Sequence, residues 1–394
     1  MGKTRSIELF SGAGGLALGL DFAGCHHVAL VERDHDACET VRLNQSLNVY
    51  PANTWRLLEE DVRNIKYNEF GGDIQLVAGG PPCQPFSLGG KHRAFNDNRD
   101  MFPEAVRAVR ETAPSVFIFE NVKGLVRKAF STYFSYIQLQ LTYPLIDKRE
   151  NEVWTDHLSR LEKHHTSTKS RDLSYRVIPR LLNAANYGVP QHRHRVFIVG
   201  FRSDLGLKWS FPKETHDFDA LLWAKWVSGE YWEEHKVPSS KREQLPRKHQ
   251  RRIDALRADF AGIQPTLKRW RTVRDAISDL PTPVTDGRPC RVHNHIIRLG
   301  AKAYAGHTGS VYDEPAKTLK AGAHGVPGGE NMVVLPSGEL RYFTVRESAR
   351  ILTFPDNYVF ATSWTESMRQ IGNAVPVQLA RTVAESVLSQ LQVS

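Results

Sequence analysis

Residues 6–32 read SIELFSGAGGLALGLDFAGCHHVALVE, and inside them FSGAGGLALG at 10–19 joins two apolar runs through a cluster of glycines. The runs Ser6–Phe10 and His27–Val31 flank helical spacing over Gly14–Ala23, the alternation of a βαβ unit on a parallel sheet. Gly12, Gly14 and Ala17 form a G-x-G-x-x-A run, whose small residues let a backbone approach a ligand closely. Glu32 closes the second strand, where a carboxylate accepts hydrogen bonds from a ribose diol. A nucleoside pocket is expected. A ligand-free strand–helix turn and a nicotinamide-dependent dehydrogenase share the same pattern.

Outward from this unit the rhythm continues. Strands are expected near Ile74–Ala78 and Ser115–Phe119, and helical spacing covers Asp36–Asn44 and Asp100–Thr112. This is an α/β, doubly wound, mostly parallel sheet. After Leu125 a polar stretch to about Arg171 reads as an insertion, and the pattern resumes at Tyr175–Leu182 and Arg195–Phe201. From Arg202 to Arg341, Pro, Gly, Trp and basic charge without clear period indicate a smaller, loop-rich second domain. Helical spacing returns at Val345–Leu352 and Val375–Leu391. The first domain is therefore expected to be discontinuous, 1–201 and 342–394, with 202–341 as the second.

The chain has 394 residues, 41% hydrophobic and 24% charged, and no run approaches the ~18 apolar residues of a membrane span. With no apolar signal region ahead of the first strand, a cytoplasmic protein without membrane association is expected. The four cysteines, Cys25, Cys38, Cys83 and Cys290, form no CxxC pair, so neither a disulfide framework nor a metal cluster is indicated. The net charge is +9, and Lys236 to Arg274 holds twelve Lys/Arg against three acids. That segment carries the whole excess and suits an anionic partner, unless it is a solvated linker.

Three further motifs carry chemistry. GGPPCQPFSLGG at 79–90 follows the strand IQLVA, so Cys83 falls at the carboxyl edge of the sheet, where α/β enzymes bind substrate. Prolines stiffen the chain around Cys83 and glycine pairs flank it, a design suited to a nucleophile on a loop that can close. Thiolate is the reactive form, and cationic surroundings lower a thiol pKa. FENVKGL at 119–125 puts Glu120 at the end of the strand SVFIF, as a carboxyl that holds a ring nitrogen or as a simple helix N-terminal acid. YGVPQHRHRVFIVG at 187–200 sets Gln191, Arg193 and Arg195 ahead of a strand, with both arginines on one face.

These pieces, in this order, resemble the DNA cytosine-5 methyltransferase family of bacterial restriction-modification type. FSGAGG, PPCQPFS, Glu120-Asn121-Val122 and the Gln-x-Arg-x-Arg of Gln191, Arg193 and Arg195 match its motifs. RESARILTFPD at 346–356, GNAVPVQLA at 372–380 and the pair Thr318-Leu319 match later ones. The resemblance covers residues 5–125, 174–201 and 342–385. It implies a Rossmann-like S-adenosyl-L-methionine-dependent fold with a target recognition domain. It also implies methyl transfer to C5 of a flipped cytosine in a short duplex DNA site, leaving S-adenosyl-L-homocysteine. Within it, Cys83 adds to C6, Glu120 holds N3 and the exocyclic amine, Arg195 orients the base and Arg193 supports the catalytic loop. Phe10, Gly12 and Gly14 floor the cofactor pocket, Glu32 takes the ribose, Asp61 takes the adenine amine, and Asn373 and Val375 close over the methionine part. Gln84, Ser87, Gln191, Thr318, Leu319 and the basic segment fall on the DNA side. The partners implied are double-stranded DNA and, functionally rather than physically, a restriction endonuclease; a monomer is expected. The alternatives are a tRNA cytosine-5 methyltransferase and a catalytically silent DNA-binding homologue.

Overall fold

The computed structural model describes residues 3–82, 100–167, 172–260, 265–285, 291–321 and 331–392. Cys83, Gln84 and Ser87 lie outside the described residues. The chain packs as two compact units: unit 1 is Met1–Leu182, His194–Pro212 and Ala380–Ser394, and unit 2 is Asn183–Arg193 and Lys213–Leu379. The boundaries expected from the sequence fall at 201/202 and 341/342. Packing groups 183–193 and 342–379 with the second unit instead.

Unit 1 is built on a seven-stranded sheet. Its strands are β1 (Thr4–Leu9), β2 (Cys25–Glu32), β3 (Leu57–Glu59), β4 (Leu76–Gly79), β5 (Val116–Val122), β6 (Tyr175–Asn183) and β7 (His194–Arg202), in the spatial order β3-β2-β1-β4-β5-β7-β6. β3, β2, β1, β4 and β5 run parallel, and β7 lies antiparallel to β5. Strand order reverses between β1 and β4, the topological switch point at which open α/β sheets bind ligands. Leu9, Gly79 and Phe119 form one register row across β1, β4 and β5 at the carboxyl edge. Gly79 has to be glycine, because a Cβ there would stand 2.5 Å from the Leu9 carbonyl oxygen.

The helices that follow these strands have identifiable starts. α1 (Gly15–Phe22) opens after Gly14 in the left-handed region, and α2 (His35–Ser46) is capped by Asp34, whose side chain accepts from Ala37 N. α3 (Phe102–Thr112) carries proline in its first turn, where no amide hydrogen is needed. α4 (Ser131–Thr142) and α5 (Trp154–Ser167) occupy the stretch expected as an insertion, and Tyr133, Tyr136, Ile137, Leu158 and Leu161 join the same core as Ile7, Phe117 and Phe119. Those two helices are part of the hydrophobic core.

Unit 2 has short strands and more helix than the sequence indicates. β8 (His216–Asp217) pairs with β9 (Lys268–Arg269), and β10 (Ser310–Val311), β11 (Met332–Val334) and β12 (Leu340–Tyr342) form a second small sheet. α6 (Phe218–Trp226), α7 (Glu230–Glu234) and α8 (Gln250–Phe260) pack around Leu221, Trp223, Tyr231, Trp232 and Ile253, and α9 (Val273–Ile277) follows. α10 (Val345–Ile351) and α11 (Trp364–Asn373) precede α12 (Val377–Gln392), which belongs to unit 1 from Ala380.

Candidate active site

At the end of β1 the backbone enters the left-handed region at Phe10 (φ 56°), Gly12 (φ 53°) and Gly14 (φ 80°). For Phe10 this is a costly conformation, of the kind that persists where the surroundings impose it at functional sites. A Cβ at Gly12 would meet nothing within 4 Å, so the loop faces open space. The Glu32 carboxylate, at the end of the neighbouring β2, fixes the loop. Oε2 accepts from Gly12 N, and Oε1 accepts from Arg33 N and Asp34 N, all at 2.8 Å. A carboxylate offers about four lone-pair positions. Three are used, and Oε2 keeps one for a further donor.

Asp61, just past β3, has its carboxylate engaged by two arginines. Oδ1 accepts from Arg63 N (3.0 Å) and Nε (2.9 Å), while Oδ2 accepts from Arg63 Nη2 (2.6 Å) and Arg33 Nη1 (3.2 Å). Arg63 above all, then Arg33, holds this carboxyl well below the usual carboxylate range. Every lone pair is engaged, so an adenine amine reaches Asp61 only when the exposed Arg33 moves away.

Across the switch point, β5 delivers Glu120 and Asn121. Val122 faces Arg195 in the antiparallel register of β5 with β7, which makes Glu120 and Arg195 diagonal neighbours on one face. Arg195 Nε stands 2.7 Å from Glu120 Oε1, and both side chains are about nine-tenths buried. Burial pulls the Arg195 guanidinium down from its ordinary value, and the Glu120 carboxylate acts against that pull. Glu120 Oε2 lies on the side of Gly80, where an added Cβ would come within 3.5 Å. Asn121, whose role sequence reasoning missed, donates from Nδ2 to the Pro81 carbonyl at 2.9 Å and accepts at Oδ1 from Val122 N. It ties the end of β5 to the prolines that precede Cys83.

Arg193 and Arg195 have different partners. Arg193 is fully buried in unit 2, donating to the carbonyls of Leu319 (3.0 Å), Gly372 (2.6 Å) and Ala374 (2.8 Å). Its guanidinium is used on backbone, which makes it a positioning group. Gln191, expected on the DNA side, is also fully buried, and its backbone forms an isolated bridge to Ala316. Thr318 donates from Oγ1 to the His192 carbonyl, and Leu319 is buried. These residues knit 190–193 to 316–320. Asn373 is exposed at the end of α11, and Val375 is buried.

Seven of the twelve cations from Lys236 to Arg274 are engaged within unit 2. Arg252 pairs with Asp219, Arg269 with Asp275 and Glu234, Arg274 with Asp313, Arg257 with Asp254, and Lys248 with Glu314, while Arg242 binds the Val237 carbonyl and Arg271 the Asp275 carbonyl. Lys236, Lys241, Arg247, Arg251, Lys268 and Arg271 are exposed, with no acidic partner among the described residues. Trp270 is packed rather than offered for stacking: its Nε1 donates to Asn186 Oδ1 at 3.0 Å and its ring meets His192 edge-on at 4.7 Å. Glu234, His235 and Asp275 bring three ligand-type atoms within 4.8 Å of one another, but Arg269 already pairs with both carboxylates. Among the described residues, no helix is long and apolar enough to cross a membrane.

The strained glycine loop, the reversal of strand order beside it and the buried acid–guanidinium pair define a Rossmann-like α/β protein with ligand-binding geometry at its sheet edge. The C-5 cytosine-specific DNA methylase family model matches residues 4–142 and 154–389, and the chain belongs to that family. The match also runs through 202–312, where the motifs alone showed no resemblance, and passes over only 143–153 within the expected insertion. The chain is 31% identical over 391 residues to the Type II methyltransferase M.PspPI of Psychrobacter sp., covering 98% of this chain and 79% of that one. It is 32% identical over 389 residues to the Type II methyltransferase M.Eco47II of Escherichia coli, with the same shares covered. The fold is also that of a candidate DNA modification methyltransferase encoded within an Escherichia coli prophage, with TM-score 0.62 at 20% identity over 98% of this chain and 99% of that one.

Proposed function

We propose that the chain transfers the methyl group of S-adenosyl-L-methionine to C5 of a cytosine flipped out of a specific duplex DNA site, with Cys83 as the transient nucleophile. The observation that carries this reading is the buried Glu120–Arg195 pair, at the edge of the same sheet from which the Cys83 segment departs. Cytosine C5 is a weak nucleophile. Addition of the Cys83 thiolate at C6 breaks the C5–C6 double bond and moves its electron pair toward N3 and, through the resulting enamine, onto C5. Glu120 holds N3 and the exocyclic amine and so stabilises the shifted charge, and Arg195 fixes the Glu120 carboxyl and orients the base. When bound, the cofactor supplies a methyl group on a positively charged sulfur. C5 takes that methyl, a base then removes the C5 proton, and its bonding pair expels Cys83 as thiolate to restore the ring.

The residues present fit the cofactor. Gly12 faces open space beside Phe10 and Gly14, and Glu32 keeps an acceptor position for a ribose hydroxyl. Asp61 takes the adenine amine after Arg33 withdraws, and Asn373 and Val375 keep the roles that the resemblance gives them. Extruding the base costs roughly a few kcal/mol, offset by contacts in the site. The description of the relatives as Type II methyltransferases supports a modification role beside a restriction endonuclease.

Labelled cofactor incubated with mixed-sequence duplex DNA and with tRNA tests the reading. Methyl incorporation into the duplex, its loss in Cys83→Ser, and covalent trapping of the wild-type chain on 5-fluorocytosine duplex are expected. Undiminished methylation by Cys83→Ser removes the mechanism, and incorporation into tRNA alone replaces the substrate.

A further inference from the structure

Both ends of the stretch between Pro82 and Asp100 are anchored within unit 1. The Pro82 carbonyl accepts from Met101 N at 3.3 Å, and the Pro81 carbonyl accepts from Asn121 Nδ2 at 2.9 Å. Asp100 Oδ1 accepts from Phe102 N at 3.1 Å at the start of α3, and Asp100 Oδ2 accepts the hydroxyl hydrogen of Tyr133. Tyr133 sits on α4 and is 5% exposed. A buried phenol needs a partner, and this one has a carboxylate, which makes a charge-assisted bond.

Tyr133 is itself braced by α5. Its ring meets Trp154 edge-on at 5.6 Å and Tyr136 at 5.8 Å. Tyr136 pairs with His157 Nδ1 at 2.8 Å, and His157 Nε2 faces the Ile146 carbonyl at 2.8 Å. A carbonyl only accepts, so Nε2 carries the proton and Nδ1 accepts from the Tyr136 hydroxyl. Burial pulls the His157 pKa down, in keeping with that neutral tautomer. Contacts thus run without a gap from α5 through Tyr133 and Asp100 to the Met101–Pro82 bond, one residue from position 83. The two prolines there have fixed φ and pass on their placement with little slack.

We propose that Tyr133 is a positioning residue for the reaction at Cys83: its hydrogen bond to Asp100 sets the place from which the nucleophile's segment leaves the sheet. The proposal rests on the reading of Cys83 as nucleophile. An error of about 1 Å in a reacting group costs up to about a hundredfold in rate.

Single-turnover methyl transfer by the full chain, with labelled cofactor and duplex DNA, tests this. Tyr133→Phe is expected to slow methylation about tenfold and to slow covalent trapping on 5-fluorocytosine duplex equally, with cofactor and duplex affinities within about twofold of wild type. Its melting temperature should hold to within about 2 °C. Asp100→Ala should match it, the double variant should be no slower than either, and Asp100→Asn, which still accepts from the hydroxyl, should recover most of the loss. A wild-type rate in Tyr133→Phe overturns the proposal. So do additive losses in the double variant, or a rate loss that tracks melting temperature or DNA affinity. If Cys83→Ser still methylates, the reading of Cys83 fails whatever Tyr133 does; if it is inert while Tyr133→Phe is normal, only the present proposal fails.

Discussion

Glu8 shows how much a single carboxyl group carries behind the glycine loop. It lies on β1, fully buried, and burial, then the Asp21 carboxylate and more weakly Glu32, push its pKa well above the ordinary 4.5. Between pH 4.5 and that raised value the native chain keeps a proton that the unfolded chain has released. Native stability therefore falls as pH rises through this window, by up to about 1.4 kcal/mol per pH unit from this group. Glu8→Gln keeps the shape and removes the titration. Urea unfolding at pH 5, 6, 7 and 8 should show the variant gaining on wild type as pH rises through that window, and a difference constant with pH would refute the assignment. The same scale explains what the sequence hid around the cofactor loop. The place of Glu32 beside the glycine loop is legible from its position after a strand, because that place depends only on topology. The saturation of Asp61 is not, because it depends on two arginine side chains that reach one carboxylate from different elements.

At the scale of elements, Arg193 is the joint of unit 2. Its guanidinium holds the chain at Leu319 to the end of α11 at Gly372 and Ala374, and a Cβ on Gly372 would stand 2.2 Å from Ala321 N. Arg193→Lys retains the charge but cannot reach three carbonyls, so a destabilisation of about 3 kcal/mol is expected, read as a lower urea midpoint for unit 2. An unchanged midpoint would mean the carbonyls find other donors. The sheet strands of unit 1 were legible because burial on both faces gives unbroken apolar runs such as VFIF and VFIVGF. β3 was not: two half-buried leucines and an exposed glutamate make no such run. α5 escaped notice because only His157, Leu158 and Leu161 of its fourteen residues are buried. α6 escaped for the opposite reason, since Ala220 to Lys225 are all buried and an all-round buried helix shows no 3.6-residue period. The motifs Gly12–Gly14, Glu120 and Arg195 were readable one by one. The diagonal pairing of the last two was not, because no pattern in β7 announces that it runs antiparallel to β5.

For the molecule as a whole, charge is the property that reaches a polyanion, and it is concentrated: outside Lys236 to Arg274 positive and negative side chains balance. Inside that segment, ion pairs occupy five of the twelve cations, and Arg242 and Arg271 reach only a backbone carbonyl. Lys236, Lys241, Arg247, Arg251, Lys268 and Arg271 are left facing solvent without an acid among the described residues. Each phosphate neutralised contributes about −0.9 to the slope of log affinity against log salt, so six contacts give a slope of about −5. Binding to non-specific duplex between 50 and 200 mM salt measures it. Replacing Lys241 and Arg251 together by Gln should flatten the slope by about 2, with little change in melting temperature. Arg274→Gln should do the reverse. It leaves Asp313 without the guanidinium that binds it at 2.5 and 2.9 Å, so the chain should melt earlier while the salt slope stays as in wild type. Equal slopes for wild type and the exposed double variant would show that the basic segment is a solvated face and that DNA is held elsewhere. A flattened slope in Arg274→Gln would show that the buried pairs open to meet phosphate.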